Sequence, residues 1–148
     1  MQTVLIVDDE DGVRFGIRLA LEECGYAVIE ATNGRVGLTH LSQTTTPLVV
    51  LLDLMMPHMS GLALLRELSA NPECAARHVF ILVSAARAFT SETLARYLPN
   101  HCLYALPKPF DIDQLIQVVK QAEREAAGIS LTTGIPLDRD AQPGTPAP

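Results

Sequence analysis

Tryptophan is absent from this 148-residue chain, cysteine occurs three times, and basic residues are scarce. The cysteines, Cys24, Cys74 and Cys102, are odd in number and widely spaced with no CxxC pair, so neither a disulfide framework nor a zinc site is indicated. They are expected to be reduced thiols in structural positions. Lys plus Arg number 11 against 17 Asp plus Glu, a net charge of −6, the opposite of what a protein reading nucleic-acid backbone requires. Direct nucleic-acid binding by this chain is thereby disfavoured. Long apolar runs are lacking too. The first, Val4 to Val7, gives way at once to Asp8, Asp9, Glu10 and Asp11, whereas a signal peptide or membrane span needs a far longer stretch. The expectation is a cytoplasmic protein with no membrane association.

What is present is a core. Hydrophobic residues make up 48% of the chain and charged residues 19%, enough to fill one α/β domain at this length. Four continuous apolar runs stand out: Val4–Val7, Leu48–Leu52, Val79–Val83 and Leu103–Leu106. Unbroken runs of this kind read as parallel strands buried on both faces. A weaker run, Tyr26–Ile29 after Gly25, reads as an edge strand.

Helical spacing fills the gaps. Val13, Ile17, Ala20 and Cys24 share a face before Gly25, a helix stop. Asn33 caps a helix carrying Leu38 and Leu41, and Ser60 one carrying Leu65 and Leu68. Leu94 and Leu98 suggest a short helix over Ser91–Leu98, ended by Pro99. Asp111 and Gln114 form a capping box ahead of Ile112, Leu115, Ile116, Val119 and Ala122. Five strands alternating with five helices imply a parallel sheet with helices on both sides, joined by right-handed crossovers. From Gly128 apolar periodicity stops and Pro136, Pro143, Pro146 and Pro148 accumulate. The expected division is an ordered domain over 1–127 and a disordered tail or linker over 128–148.

In open parallel sheets the ligand site lies beyond the carboxyl ends of the strands, where the strand order reverses. The runs deliver Asp8 and Asp9, then Asp53, then Ser84, and finally Lys108 just past Pro107. Taken singly, Asp8 or Ser84 would be a cap or turn residue and Lys108 a solvated surface group. Together, at successive strand ends, they describe one site. Three carboxylates and one ammonium sum to −2, a charge that calls for protons or a divalent cation. All-oxygen ligands favour Mg²⁺, which would bring the sum to zero and leave room for a phosphate oxygen. A carboxylate beside a metal and a lysine is placed to attack phosphorus, and Asp53 is the natural nucleophile.

The pattern Val-Leu-Ile-Val-Asp8-Asp9-Glu, then Leu-Leu-Asp53-Leu-Met-Met-Pro57-His-Met-Ser-Gly61, then Leu-Val-Ser84-Ala85 and Lys108-Pro109-Phe110 resembles the receiver domain of two-component response regulators. The resemblance covers residues 2 to 125. It implies a flavodoxin-like, doubly wound five-stranded sheet in the order 2-1-3-4-5, with five helices. It further implies Asp53 as phosphoacceptor, with Asp9, Asp53 and the Met55 backbone carbonyl as Mg²⁺ ligands and Asp8 supporting them. Ser84 would contact the phosphoryl oxygens and Lys108 would pair with the phosphorylated aspartate. A cis bond between Lys108 and Pro109 is implied as well.

One position departs from the pattern. Receivers commonly carry Tyr or Phe three residues before the lysine, where this chain has Ala105; Tyr104 is one place off and strand alternation points it to the other face. Activation would then rest on Ser84 and the helix over Ser91–Leu98. In receivers the residues two places after the phosphoacceptor and after the serine border the path of the hydrolytic water, and here they are Met55 and Ala86. His58 reads as an exposed loop residue. His101 and Cys102 lack companions at metal-ligand spacing, and Gly34 with Gly37 make no phosphate-binding fingerprint.

The function implied is a phosphorylation-controlled binding module, not an enzyme beyond its own phosphorylation and slow autodephosphorylation. Its partners would be a sensor histidine kinase or phosphotransfer protein upstream and a protein downstream; a homodimer is compatible. It would act as a stand-alone receiver, with the receiver portion of a longer regulator as the alternative. From a different class, a Mg²⁺-dependent phosphatase with an aspartate nucleophile would carry a second Asp where this chain has Met55. A pseudo-receiver working without phosphorylation is disfavoured by the complete acidic set.

Overall fold

A computed structural model describes residues 1–84 and 103–131. The expected helix over Ser91–Leu98 lies outside them, as do Ala85, Ala86, His101, Cys102 and the tail beyond Leu131.

Five strands, β1 (Thr3–Val7), β2 (Ala27–Ala31), β3 (Val49–Asp53), β4 (Val79–Ser84) and β5 (Leu103–Pro107), form one sheet in the order β2-β1-β3-β4-β5. All four pairings are parallel. The weak apolar run is indeed the edge strand β2. Among the described residues the helices are α1 (Asp11–Glu23), α2 (Gly34–Gln43), α3 (Gly61–Ser69), α4 (Pro72–Arg77) and α5 (Ile112–Leu131).

Alternation along each strand sends successive side chains to opposite faces, which is why unbroken apolar runs suit this sheet. Leu5, Val7, Val50, Leu52, Phe80 and Leu82 pack with Leu41 of α2, Leu64, Leu65 and Leu68 of α3, and Cys74 of α4. Val4, Ile6, Val49, Leu51, Val79, Ile81 and Leu106 pack on the other side with Ile17 and Leu21 of α1 and Leu115, Val119, Ala122 and Ala126 of α5. The result is a sheet between two helical layers.

Helix ends follow their local chemistry. Asn33 and Ser60 accept from the Val36 and Ala63 amides, and Asp111 and Gln114 close a reciprocal capping box at 2.8 and 3.0 Å. Gly25 turns the chain out of α1 with a φ of +89°, a conformation that costs glycine little. Helix α4 is not foreseen by hydrophobic spacing. Its signal is local: Asn71 caps it and Pro72 occupies the first turn, where a missing N–H costs nothing.

Three expectations are corrected. The buried stripe of α1 is continued by Leu21, whereas Cys24 is exposed at the helix end. Ile112, at the start of α5, is 60% exposed instead of facing the core. Helix α5 also runs through Gly128 to Leu131, past the composition change. Cys74 is buried as expected, its thiol donating to the Leu41 carbonyl at 3.3 Å. At the far edge of the apolar layer the Tyr26 phenol donates to Glu123 of α5 at 2.8 Å. Burial and that carboxylate push its pKa up to about 12.

Candidate functional site

The strand order reverses at β1, which has β2 on one side and β3 on the other. A crevice at such a point is where doubly wound sheets bind ligands. Asp53 closes β3, Asp8 and Asp9 follow β1, Ser84 closes β4 and Lys108 follows β5. Backbone hydrogen bonds carry the ladder around these exits: Asp8 N–H to Ala31 O at 3.2 Å, Leu54 N–H to Val83 O at 3.1 Å, and Lys108 N–H to Ser84 O at 3.0 Å. The sheet thus fixes where each candidate residue leaves it.

The side chains converge. Carboxylate oxygens of Asp8, Asp9 and Asp53 lie within 4.8 Å of one another, with Asp8 and Asp53 buried and Asp9 exposed. Lys108 Nζ donates to Asp53 Oδ2 at 3.3 Å, and the Met55 amide donates to Asp53 Oδ1 at 2.9 Å. Ser84 is half-buried at the neighbouring strand end. Burial pushes the Asp8 carboxyl above its ordinary range; the Glu10 amide on Asp8 Oδ1 at 2.8 Å opposes this, Asp53 adds to it, Lys108 opposes it, and Asp9 adds further. Like charges in a buried crevice resist ionisation, and a hard cation relieves that. The donor set, oxygen throughout, suits Mg²⁺.

Other expected placements are also found. The Lys108–Pro109 bond is cis. His58 is an exposed loop residue, held at a φ of +66°. Tyr104 packs on the α1 and α5 side, and its phenol donates to Glu125 of α5. It therefore faces away from the layer of Leu82, with which Ala105 is paired. Gly34 and Gly37 serve packing: a Cβ on Gly34 would stand 2.7 Å from Met59 Cγ, and one on Gly37 2.9 Å from Val7 Cγ2.

Gly61 has a more direct bearing on the site. A Cβ there would meet the Asp53 carbonyl oxygen at 2.4 Å and Leu54 Cα at 2.9 Å. Only glycine lets the start of α3 lie against the end of β3, so this residue sets the backbone that presents Asp53. The sequence contains it, but spacing alone gives it no role.

The sequence model of the response regulator receiver domain matches residues 4–120. The chain belongs to that family. Among curated proteins it is 39% identical over 122 residues to the sensor kinase CckA of Brucella abortus (strain 2308), covering 80% of this chain and 12% of that protein. It is 37% identical over 119 residues to the regulatory protein AtoC of Escherichia coli (strain K12), covering 80% of this chain and 24% of that one. This receiver therefore spans only a fraction of the length of these relatives. Among solved structures it resembles the response regulator TrrA of Thermotoga maritima, determined in complex with Mg²⁺ and BeF. The TM-score is 0.67 and the identity 28%, over 82% of this chain and 99% of that one. Receiver domains are signalling domains that accept phosphoryl groups from histidine kinases and bind Mg²⁺ at an acidic pocket. No helix among the described residues is long and apolar enough to cross a membrane.

Proposed function

We propose that this receiver takes a phosphoryl group onto Asp53 from a sensor histidine kinase or phosphotransfer protein and passes the signal to a protein partner through its altered surface. The observation that carries the reading is the setting of Asp53. Its carboxylate is buried, both oxygens are held, and Asp8, Asp9 and Lys108 surround it. Asp9, Asp53 and the Met55 carbonyl would hold Mg²⁺, and Asp8 would support them. Bound there, Mg²⁺ supplies positive charge to the phosphoryl oxygens.

The chain's own residues do the rest. One Asp53 oxygen attacks phosphorus, the bond from phosphorus to the donor imidazole breaks, and the imidazole takes up a proton from solvent. An acyl phosphate results on Asp53. Lys108 and the Ser84 hydroxyl balance charge on the transferred oxygens. With Ala105 at the position expected to be aromatic, and Tyr104 tied to α5, the response is read through Ser84 and the segment after β4.

The setting proposed is cytoplasmic. A stand-alone receiver and the receiver portion of a longer regulator both fit; CckA and AtoC, much longer than this chain, illustrate the second arrangement. Incubating wild type and Asp53→Ala with Mg²⁺ and acetyl phosphate tests the acceptor. Labelling of wild type alone is expected, and equal labelling of both would remove Asp53 from the role.

A further inference from the structure

Arg14 is not among the strand-end residues, yet it is 7% exposed and stands in the first turn of α1 beside the acidic crevice. Burying a guanidinium is costly unless every arm is satisfied. Here all three nitrogens are engaged. Nη1 donates to the Asp8 main-chain oxygen at 2.6 Å, Nη2 donates to the Asp11 carboxylate, and Nε donates to Glu30 Oε1 at 3.3 Å. Glu30, on the edge strand β2, is itself held by Arg18 at 2.9 Å. The fork is thus braced from β2 and from its own helix, with its remaining arm on the carbonyl of Asp8.

That carbonyl belongs to the peptide joining Asp8 to Asp9. On the other side Asp8 is tied through its N–H to Ala31, and its side chain receives the Glu10 amide. Among the described residues Asp9 has no such tie of its own, and its exposed carboxylate faces two like charges within 4.8 Å. Repulsion favours swinging Asp9 outward. The grip on the preceding carbonyl opposes that swing.

We propose that Arg14 is a positioning residue for the divalent-cation site, fixing the Asp8–Asp9 peptide so that the Asp9 carboxylate stands ready beside Asp53. This rests on the reading of Asp9 as a Mg²⁺ ligand. Lysine is a poor substitute, because a single ammonium cannot span the Asp8 oxygen, Asp11 and Glu30 together.

The test is Mg²⁺ titration by calorimetry of the full chain as wild type, Arg14→Met, Arg14→Lys and Asp9→Asn. It is run well below the thermal midpoint of each variant, with folding checked by circular dichroism. Groups that orient metal ligands typically govern affinity by one to two orders of magnitude, so Arg14→Met should weaken Mg²⁺ binding about tenfold, with Arg14→Lys between it and wild type. Asp9→Asn should lose most of the binding. A residue that merely holds the fold would lower the thermal midpoint and leave the affinity unchanged. Loss of binding in Asp9→Asn with Arg14→Met within twofold of wild type overturns the positioning role alone. Full binding by Asp9→Asn overturns the metal reading and this inference with it. If Arg14→Met does not fold, Arg14→Lys decides: weaker binding supports the proposal and wild-type affinity overturns it.

Discussion

Lys108 Nζ lies 3.3 Å from Asp53 Oδ2, joining residues from the ends of two strands that are not neighbours, with β4 between them. The lysine is partly exposed and the aspartate nearly enclosed. The ammonium therefore serves as the buried carboxylate's charge partner before any phosphoryl group arrives. On the proposed reading it would follow that charge once Asp53 carries a phosphoryl group.

Lys108→Met removes this partner from a cluster of three carboxylates. A hydrogen bond to a charged group of this kind contributes about 1.5–3 kcal/mol, and the metal-free protein should lose stability in that range. Adding Mg²⁺ should restore more stability to the variant than to wild type, because binding to the folded state stabilises by mass action. Urea unfolding in chelator and in Mg²⁺ gives both numbers. An equal Mg²⁺ increment in the two proteins would mean that Lys108 and the cation do not share the same charge.

Asp8 makes an opposite contribution. Its carboxyl is held above the ordinary range, chiefly by burial. A group with a raised folded-state pKa favours the folded protein while protonated, and that advantage is lost as pH climbs through the folded value. Metal-free wild type should therefore carry a penalty from Asp8 at neutral pH. Asp8→Asn, which keeps an acceptor for the Glu10 amide, should raise neutral-pH stability by more than about 0.5 kcal/mol, the usual scatter of surface substitutions. The gain should shrink as pH falls below the carboxylate range. Thermal unfolding in chelator from pH 3 to pH 8, values chosen to bracket the usual carboxylate titration, checks the sign.

Gly61→Ala would place a methyl against the Asp53 carbonyl oxygen and Leu54 Cα, both backbone atoms with little room to yield. Overpacking of this sort costs about 1–3 kcal/mol. Because the strained atoms belong to Asp53 itself, labelling by acetyl phosphate should fall as well. Gly12→Ala is the control, since nothing stands within 4 Å of a Cβ there. Unchanged labelling in a destabilised Gly61→Ala would separate packing from presentation of the acceptor.

The sheet was legible because buried parallel strands must be apolar on both faces, so Val4–Val7 or Val79–Val83 can hardly be anything else. The convergence of the candidate site residues was legible for a related reason. Asp8, Asp53 and Lys108 break the apolar pattern at the point where each strand ends, and the sheet brings strand ends together. Arg14 escaped that logic: an arginine one turn before Arg18 on a helix looks solvated until Glu30 of β2 receives both of them. Gly61 escaped because its importance lies in a main-chain approach that side-chain patterns do not encode. Helix α4 escaped because six residues are too few to show a period, leaving only Asn71 and Pro72 to mark it.

The lifetime of the phosphorylated state should depend on Met55. Its amide donates to Asp53 Oδ1 at 2.9 Å, so its backbone is fixed to the acceptor, while its side chain is 62% exposed. A thioether two residues after the proposed acceptor offers no strong hydrogen bond to orient an attacking water, and it is long enough to cover an acyl phosphate on Asp53. Both properties favour slow hydrolysis. Met55→Asn keeps the backbone amide and introduces a side chain able to donate to and accept from water. Positioned polar groups are capable of larger effects, but one amide with no tuned pKa should speed dephosphorylation about three- to tenfold, up to roughly 1.4 kcal/mol of barrier. Met55→Leu, apolar and of similar size, should decay like wild type. The measurement is loss of the phosphorylated protein after acetyl phosphate is removed, with Mg²⁺ held constant. If Met55→Asn and Met55→Leu decay at the same rate as wild type, the water does not pass this side chain. If both accelerate equally, covering by the methionine matters and hydrogen bonding to the water does not.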